Sequence, residues 1–297
     1  MPETILSSDE HHVYIETSLT DDTEYLRALN GVEEVRVANG PHLMKRFPAS
    51  RFICDPAAIN TRVHAHRSGP SVTVFGMSGY STLTGERCAQ LEIEPGEYEA
   101  LVSSCYAGAL QHVQHTLPAA ARLRIVDGAA DIGIDKLARH VAMQLGIDVL
   151  SFNCPEYLWW VDNAAEGQPV CVCADKDTYA HTYINALDIL FAANGGPVSY
   201  QKDIYAATQT GGRVRVIPLD ALRALGARTR AYTDDGKVLD AIAALAHSFP
   251  SMSVYPIEVE QAADKYEAIR RYLGEMLTGL IRPTLPIELR YPNPATS

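Results

Sequence analysis

The sequence predicts an α/β protein built on a doubly wound, mostly parallel sheet, with an α/β extension at the N-terminus and helices at the C-terminus. Two observations carry this. From residue 71 to residue 219 short apolar runs alternate with amphipathic stretches, the rhythm of a parallel sheet covered by helices on both faces. Three of the apolar runs end in glycine-containing turns, as strands do where the chain swings into a helix or loop. The expected organisation is an extension over 1–70, a core over 71–219, and a helical extension with a tail over 220–297.

In the N-terminal extension, residues 13–17 (VYIET) alternate as a strand, residues 21–29 read as a helix behind a Thr20/Asp21 cap, and residues 32–37 read as a second strand. Beyond Pro41 the pattern weakens. Residues 62–70, with His64, His66, Ser68, Gly69 and Pro70, read as a connector. The core offers strands at 71–76, 122–126, 147–152, 188–193 and 213–217, with helices at 97–115, 131–145 and 199–209. An irregular stretch, 155–177, carries Tyr157, Trp159 and Trp160 ahead of a short strand at 170–173; core packing or a subunit contact suits these aromatics better than a lid over a ligand. Past residue 219, amphipathic helices at 235–246 and 259–278 flank an apolar strand at 252–257, and the proline-rich residues 282–297 read as a surface tail.

Composition narrows the partners. With 47% hydrophobic and 21% charged residues over 297 positions, the chain is long and apolar enough to bury a core. A net charge of -11, with no block of basic residues, argues against a nucleic-acid polymer, whereas a mononucleotide held by backbone N–H groups suits an acidic protein. The N-terminus has no apolar leader and no apolar run is long enough for a membrane span, so the cytoplasm is the expected compartment. There Cys54, Cys88, Cys105, Cys154, Cys171 and Cys173 are expected to be reduced and buried. Cys171 and Cys173 share a strand face without completing a zinc set, and neither His64 with His66 nor His112 with His115 completes a metal motif. No metal and no cofactor are expected.

The chemistry falls to the three turns: Gly76 to Thr82, Asp127 to Asp135, and Asn194 to Ser199. In an open parallel sheet, ligands settle beyond the carboxyl ends of the strands, so all three turns can face one crevice. Glycine lets backbone approach a ligand, and the following helix offers unpaired N–H groups to a phosphate or carboxylate. The residues expected to line the site are Gly76, Ser78, Gly79, Ser81, Thr82, Gly128, Ala129, Gly133, Asp135, Tyr179, Asn194, Gly195, Gly196 and Ser199. There is no nucleophile elbow, no P-loop and no clean dinucleotide fingerprint, which disfavours a serine hydrolase, a P-loop kinase and a standard dehydrogenase.

Gly128-Ala129 followed by Gly133-Ile134-Asp135, and the run from Ala186 through Asp188 to Gly195-Gly196, resemble the Rossmann-like SLOG superfamily. That superfamily includes the Lonely Guy phosphoribohydrolases, once described as lysine decarboxylases, and the DNA-processing proteins of natural transformation. The resemblance spans about half the chain and implies a Rossmann-like core that binds a nucleotide. Lonely Guy enzymes carry a P-G-G-x-G-T-x-x-E loop. Here Asn194 replaces the proline, Val198 the third glycine, Ser199 the threonine, and Lys202 stands where the glutamate falls. The family's Arg-Lys pair maps near Tyr179 and Ala180 and is missing, so the cytokinin-activating reaction does not carry over.

Cleavage of an N-glycosidic bond needs a carboxylate to support an oxocarbenium-like centre or to activate water. Asp203, on the helix expected after the diglycine turn, is the first candidate, although an acid there also complements a helix dipole. Glu86 and Arg87 are further catalytic candidates, or else a solvated surface pair. Asp135 either meets a ribose hydroxyl or braces its own turn. The sequence therefore supports two functions: an enzyme acting on a nucleotide or nucleoside derivative, as a hydrolase or transferase at the N-glycosidic or phosphoribosyl bond, or a non-catalytic nucleotide-sensing or ligand-binding regulator. Either is expected to be a homo-oligomer, most simply a homodimer.

Overall fold

The computed structural model describes residues 4–69, 72–80, 83, 85–116, 122–161, 168–193, 214–219 and 221–225. Its first four strands, β1 (Ile5–Ser8), β2 (His12–Ser18), β3 (Val32–Val37) and β4 (Gly40–Pro48), form an antiparallel sheet in the order β1-β2-β4-β3. Alternation gives it one inward face, on which Val13, Ile15 and Thr17 of β2 and Leu43, Lys45 and Phe47 of β4 are buried. A lysine in the middle of that inward row hides β4 from a reading of apolar periodicity. The Lys45 ammonium donates to the carbonyls of Trp159 at 3.0 Å and Val161 at 2.5 Å. The helix expected at 21–29 contracts to a 3-10 turn, Glu24–Ala28.

Next comes β5 (Phe52–Ile53), then α1 (Pro56–Arg67), which starts behind Asp55, whose carboxylate accepts from Ala58 N at 2.9 Å. The connector expected at 62–70 is therefore helical as far as Arg67. Only Ile59 of α1 is buried, so the helix leaves almost no apolar stripe to read. After it follow β6 (Val72–Ser78), α2 (Gly85–Leu91), α3 (Glu97–Thr116), β7 (Arg122–Asp127), α4 (Gly133–Gln144), β8 (Asp148–Asn153), β9 (Val170–Val172), α5 (Lys176–Ala186), β10 (Ile189–Ala193), β11 (Arg215–Leu219) and α6 (Ala221–Ala224). With β5 these strands form a seven-stranded sheet, β11-β10-β6-β7-β8-β9-β5, in which every pair is parallel. The chain is thus an α/β protein with a doubly wound sheet, as the sequence predicts, and β5 and α1 complete that sheet from ahead of residue 70. The segments expected at 199–209, 235–246, 252–257, 259–278 and 282–297 lie outside the described residues.

Three apolar clusters hold the layers. Phe75, Met77, Ile125 and Phe191 meet α2, α3 and α4 on one face through Leu91, Leu101, Leu110 and Val141. Val74, Val126, Phe152 and Leu190 meet α1 and α5 on the other, through Ile59, Tyr183, Ile184 and Leu187. The third cluster seats the small sheet on the large one, with Trp159 and Val170 packed among Val13, Ile15, Leu43 and Phe47. Of the described cysteines, Cys88, Cys154, Cys171 and Cys173 are buried and free, whereas Cys54 is free but exposed, because it follows the two-residue strand β5 at the edge of the sheet. No described helix is long and apolar enough to cross a membrane.

The foot of α1 is tied to the sheet by charge. Arg124 Nη1 donates to Ala65 O at 2.9 Å, to His66 O and to Ser68 O, capping the helix carbonyls, while Arg67 pairs with Asp188 at 2.9 Å. His66 Nε2 donates to Ile125 O at 3.1 Å. Burial, reinforced by the neighbouring Arg124 guanidinium, pushes the imidazole down from 6.5 to about 4. As pH falls through about 6.5 the unfolded chain takes up a proton that folded His66 refuses until about 4, so stability is lost across that window. The loss is on the order of 3 kcal/mol. Urea unfolding at a series of pH values should show this decline in the wild type, and His66→Gln should flatten it.

Candidate functional site

Strand order marks the switch point of the sheet. From β6 the chain winds outward through β7, β8 and β9, then crosses back through α5 to β10 on the other side of β6. Adjacent strands whose connections run in opposite directions leave a crevice beyond their carboxyl ends. Ser78 and Gly79, at and just past the end of β6, and Ala193, at the end of β10, stand at this edge. Ser78, in register with Ala192, is 9% exposed, and its hydroxyl has no hydrogen-bond partner among the described residues.

The neighbouring glycines serve close packing. A side chain on Gly79 would run into Ile134 Cδ1 and would lie 2.8 Å from Tyr98 Oη and 3.2 Å from Ala193 Cβ. Glycine there lets α3 and α4 close against the end of β6. Gly76 faces α5 instead: its Cβ would stand 2.7 Å from Leu187 Cδ2 and 2.8 Å from Tyr183 Oη.

Between β7 and α4 the chain satisfies itself. Gly128 N donates to Asp135 Oδ1 at 2.9 Å and Ala129 N to Asp127 Oδ1 at 3.3 Å. Gly128 O accepts from Asn153 Nδ2 at 2.7 Å, Ala130 O from Arg139 Nη2 at 3.0 Å, and Trp160 O from Asp131 N at 3.1 Å. Two left-handed residues, Ala129 (φ 61) and Gly133 (φ 54), bend the turn within this network. Asp135 braces its own turn through Oδ1. The donors expected to meet an anion at Gly128 and Ala129 are taken up by the protein's own carboxylates.

Asp127 is fully buried and pairs with Arg139 Nη1 at 2.8 Å. Burial raises its pKa, against the lowering effects of Arg139, of a bond from Ser151 and of Ala129 N. Tyr179 stands beside this turn, its hydroxyl 2.9 Å from where a Gly128 side chain would begin, with its ring 6.0 Å from Tyr157 and 5.9 Å from Tyr183. Trp159 is core, whereas Trp160 stacks on the exposed Tyr25 at 6.3 Å. On α2, Glu86 is exposed and Arg87 donates to Gln90 at 3.2 Å on the same helix. Ser81, Thr82, Asn194, Gly195, Gly196, Ser199 and Asp203 lie outside the described residues.

Sequence reading passed over Asp127, Arg139, Asn153 and Tyr183. A pointer existed for the first two: an acid closing the apolar run Ile125-Val126, followed by an arginine one helical turn after Asp135. For Asn153 and Tyr183 the contacts depend on which strands and helices become neighbours, which no local pattern shows.

No family model and no curated protein matches this chain. Among solved structures it is similar to the molybdenum cofactor binding protein from the phototrophic bacterium Rippkaea orientalis, at 11% identity and a TM-score of 0.38, over 71% of this chain and 99% of that one. It is also similar to the molybdenum cofactor carrier protein from Chlamydomonas reinhardtii, at 14% identity and a TM-score of 0.39, over 71% and 98%. Likeness this distant assigns no ligand to the present chain.

Arg139→Ala should destabilise the protein by about 3–5 kcal/mol at neutral pH, because it leaves a buried carboxylate uncompensated. Folded Asp127 already titrates above the unfolded value, and loss of Arg139 raises it further, so the deficit shrinks as pH falls and the carboxyl takes up its proton. Denaturant unfolding of both proteins at neutral and at mildly acidic pH measures the closing gap.

Proposed function

We propose that this chain binds a small anionic molecule, nucleotide-like in size and charge, at the carboxyl ends of β6 and β10. The observation behind this is Ser78, a hydroxyl shut away from solvent at the switch point and without a partner among the described residues. Leaving such a group unsatisfied costs about 1–3 kcal/mol, and an incoming ligand oxygen removes that cost. Gly79 and, further along the sequence, Ser81, Thr82, Asn194, Gly195, Gly196 and Ser199 belong to the same proposal, as does a homo-oligomeric, cytoplasmic protein.

Binding is favoured over turnover because the carboxylates on the β7 to α4 turn are already engaged, Asp127 by Arg139 and Asp135 by Gly128 N. Hydrolysis or transfer at an N-glycosidic or phosphoribosyl bond is the finer reading, and it requires Asp203 to act as the free carboxylate. Calorimetric titration with a panel of mononucleotides should give saturable binding to at least one. Ser78→Ala should weaken that binding by about threefold to tenfold, the worth of one hydrogen bond, without lowering stability. A flat response to the whole panel, or equal affinity in Ser78→Ala, would sink the proposal. Release of free base from any mononucleotide would restore the catalytic reading.

A further inference from the structure

A cavity of about 580 Å³ opens at the opposite, amino-terminal edge of the large sheet. It owes its existence to strand length. β9 begins at Val170, opposite Ser151, so the preceding residues of β8, Asp148 to Leu150, have no described strand on their outer side. The notch left there is flanked by α1, through Arg62 and His66, and by α4, through Arg139 and Met143. Its volume is that of a small-molecule site. At some six residues of strand, it lies roughly 20 Å from the switch point.

The charges around it do not cancel. Arg139 is spent on Asp127 at 2.8 Å and Asp131 at 3.5 Å. Arg124 caps α1 with Nη1, and its Nε lies 3.7 Å from Asp148, whose side chain is 79% exposed and so offers a screened counter-charge. Arg62 is exposed and makes no hydrogen bond or ion pair with another described residue. In a chain of net charge -11, three arginines line this notch against one aspartate, and Arg62 is left without a described counter-charge. It also has an apolar wall: Met143, 69% exposed, stands beside the buried Ile147. Met143 stays open to water on a helix that buries Ile134, Ala138, Val141 and Ala142, and its thioether adapts readily to an apolar partner.

We infer that this notch is a second binding site, for a small organic anion whose phosphate or carboxylate group meets Arg62 and Arg124 while its apolar body covers Met143 and Ile147. The arginine pair supplies planar donors suited to either acid group. The flexible thioether adapts to the body of the ligand.

The test uses the full chain labelled with ¹³C at its methionine methyls, Met143→Leu assigning the Met143 signal, and phenyl phosphate as probe. The Met143 methyl should shift saturably with phenyl phosphate, and at least about tenfold higher concentrations of neutral phenol should be needed for the same shift. Arg62→Ala should weaken the response about tenfold, with the other methyl signals unmoved as a check on the fold. Asp148→Asn, which removes the competing carboxylate, should strengthen it. Raising ionic strength from about 0.05 M to about 0.5 M should weaken it as well. A static Met143 signal, or a shift of equal affinity in Arg62→Ala, overturns the inference. Because the reporter lies at the far edge of the sheet, either result is independent of binding at Ser78.

Discussion

One tyrosine hydroxyl governs how α5 meets the centre of the large sheet. The last residues that pair β6 with β7 are Gly76 and Val126; beyond them the two strands are no longer in register. Tyr183 of α5 stands at that point, its oxygen accepting from Met77 N at 3.2 Å and lying 3.0 Å from Met77 O and 3.3 Å from Val126 O. Backbone groups that the ladder no longer serves are thereby satisfied from the covering helix, as buried polar groups must be. The arrangement requires glycine at position 76, because a Cβ would stand 2.8 Å from the same oxygen. Helix α5 can therefore sit close to the centre of the sheet, at the point where β6 and β7 cease to pair.

That edge is asymmetric in charge and in available donors. On the β7 side, Asp127 and Asp135 consume the backbone N–H groups of Gly128 and Ala129, and Asp131 is held by Arg139 at 3.5 Å and Lys136 at 3.4 Å. An incoming anion there would displace carboxylates from bonds already made and would meet their repulsion as well. On the β6 side the Ser78 hydroxyl has no partner among the described residues. What distinguishes the two sides is thus which groups the chain has already satisfied, more than the presence of glycine.

Much of the large sheet was legible because its strands are nearly continuous apolar runs, the pattern of strands covered on both faces. β3 (Val32–Val37) was read to the residue, and β6, β7, β8 and β10 to within two residues at either end. β4 was lost because Lys45 breaks the inward row between Leu43 and Phe47, and α1 because it buries one residue. For the candidate site the sequence supplies turns but no contacts. Gly76, Gly79 and Gly128 mark close approaches, but a glycine makes room equally for a ligand, for Leu187 or for the Tyr179 hydroxyl. Which of these fills the space follows from how distant segments meet, information that a single chain's local pattern does not contain.

Lys45 shows how the N-terminal extension reaches the carboxyl edge of the large sheet. An ammonium on the buried face of a strand is costly unless it is well paired, and here it meets the carbonyls of Trp159 and Val161. Those residues end the 3-10 turn Pro155–Trp160 that follows β8. Between them, Trp160 O accepts from Asp131 N on the α4 turn, while Trp159 packs beneath the small sheet. A continuous line of hydrogen bonds and packing therefore runs from β4, through the aromatic turn, to the residues that hold Gly128 and Ala129 in place. Shifting the small sheet would pull Lys45 from its carbonyls and disturb this packing together, so the extension is coupled to the shape of that edge.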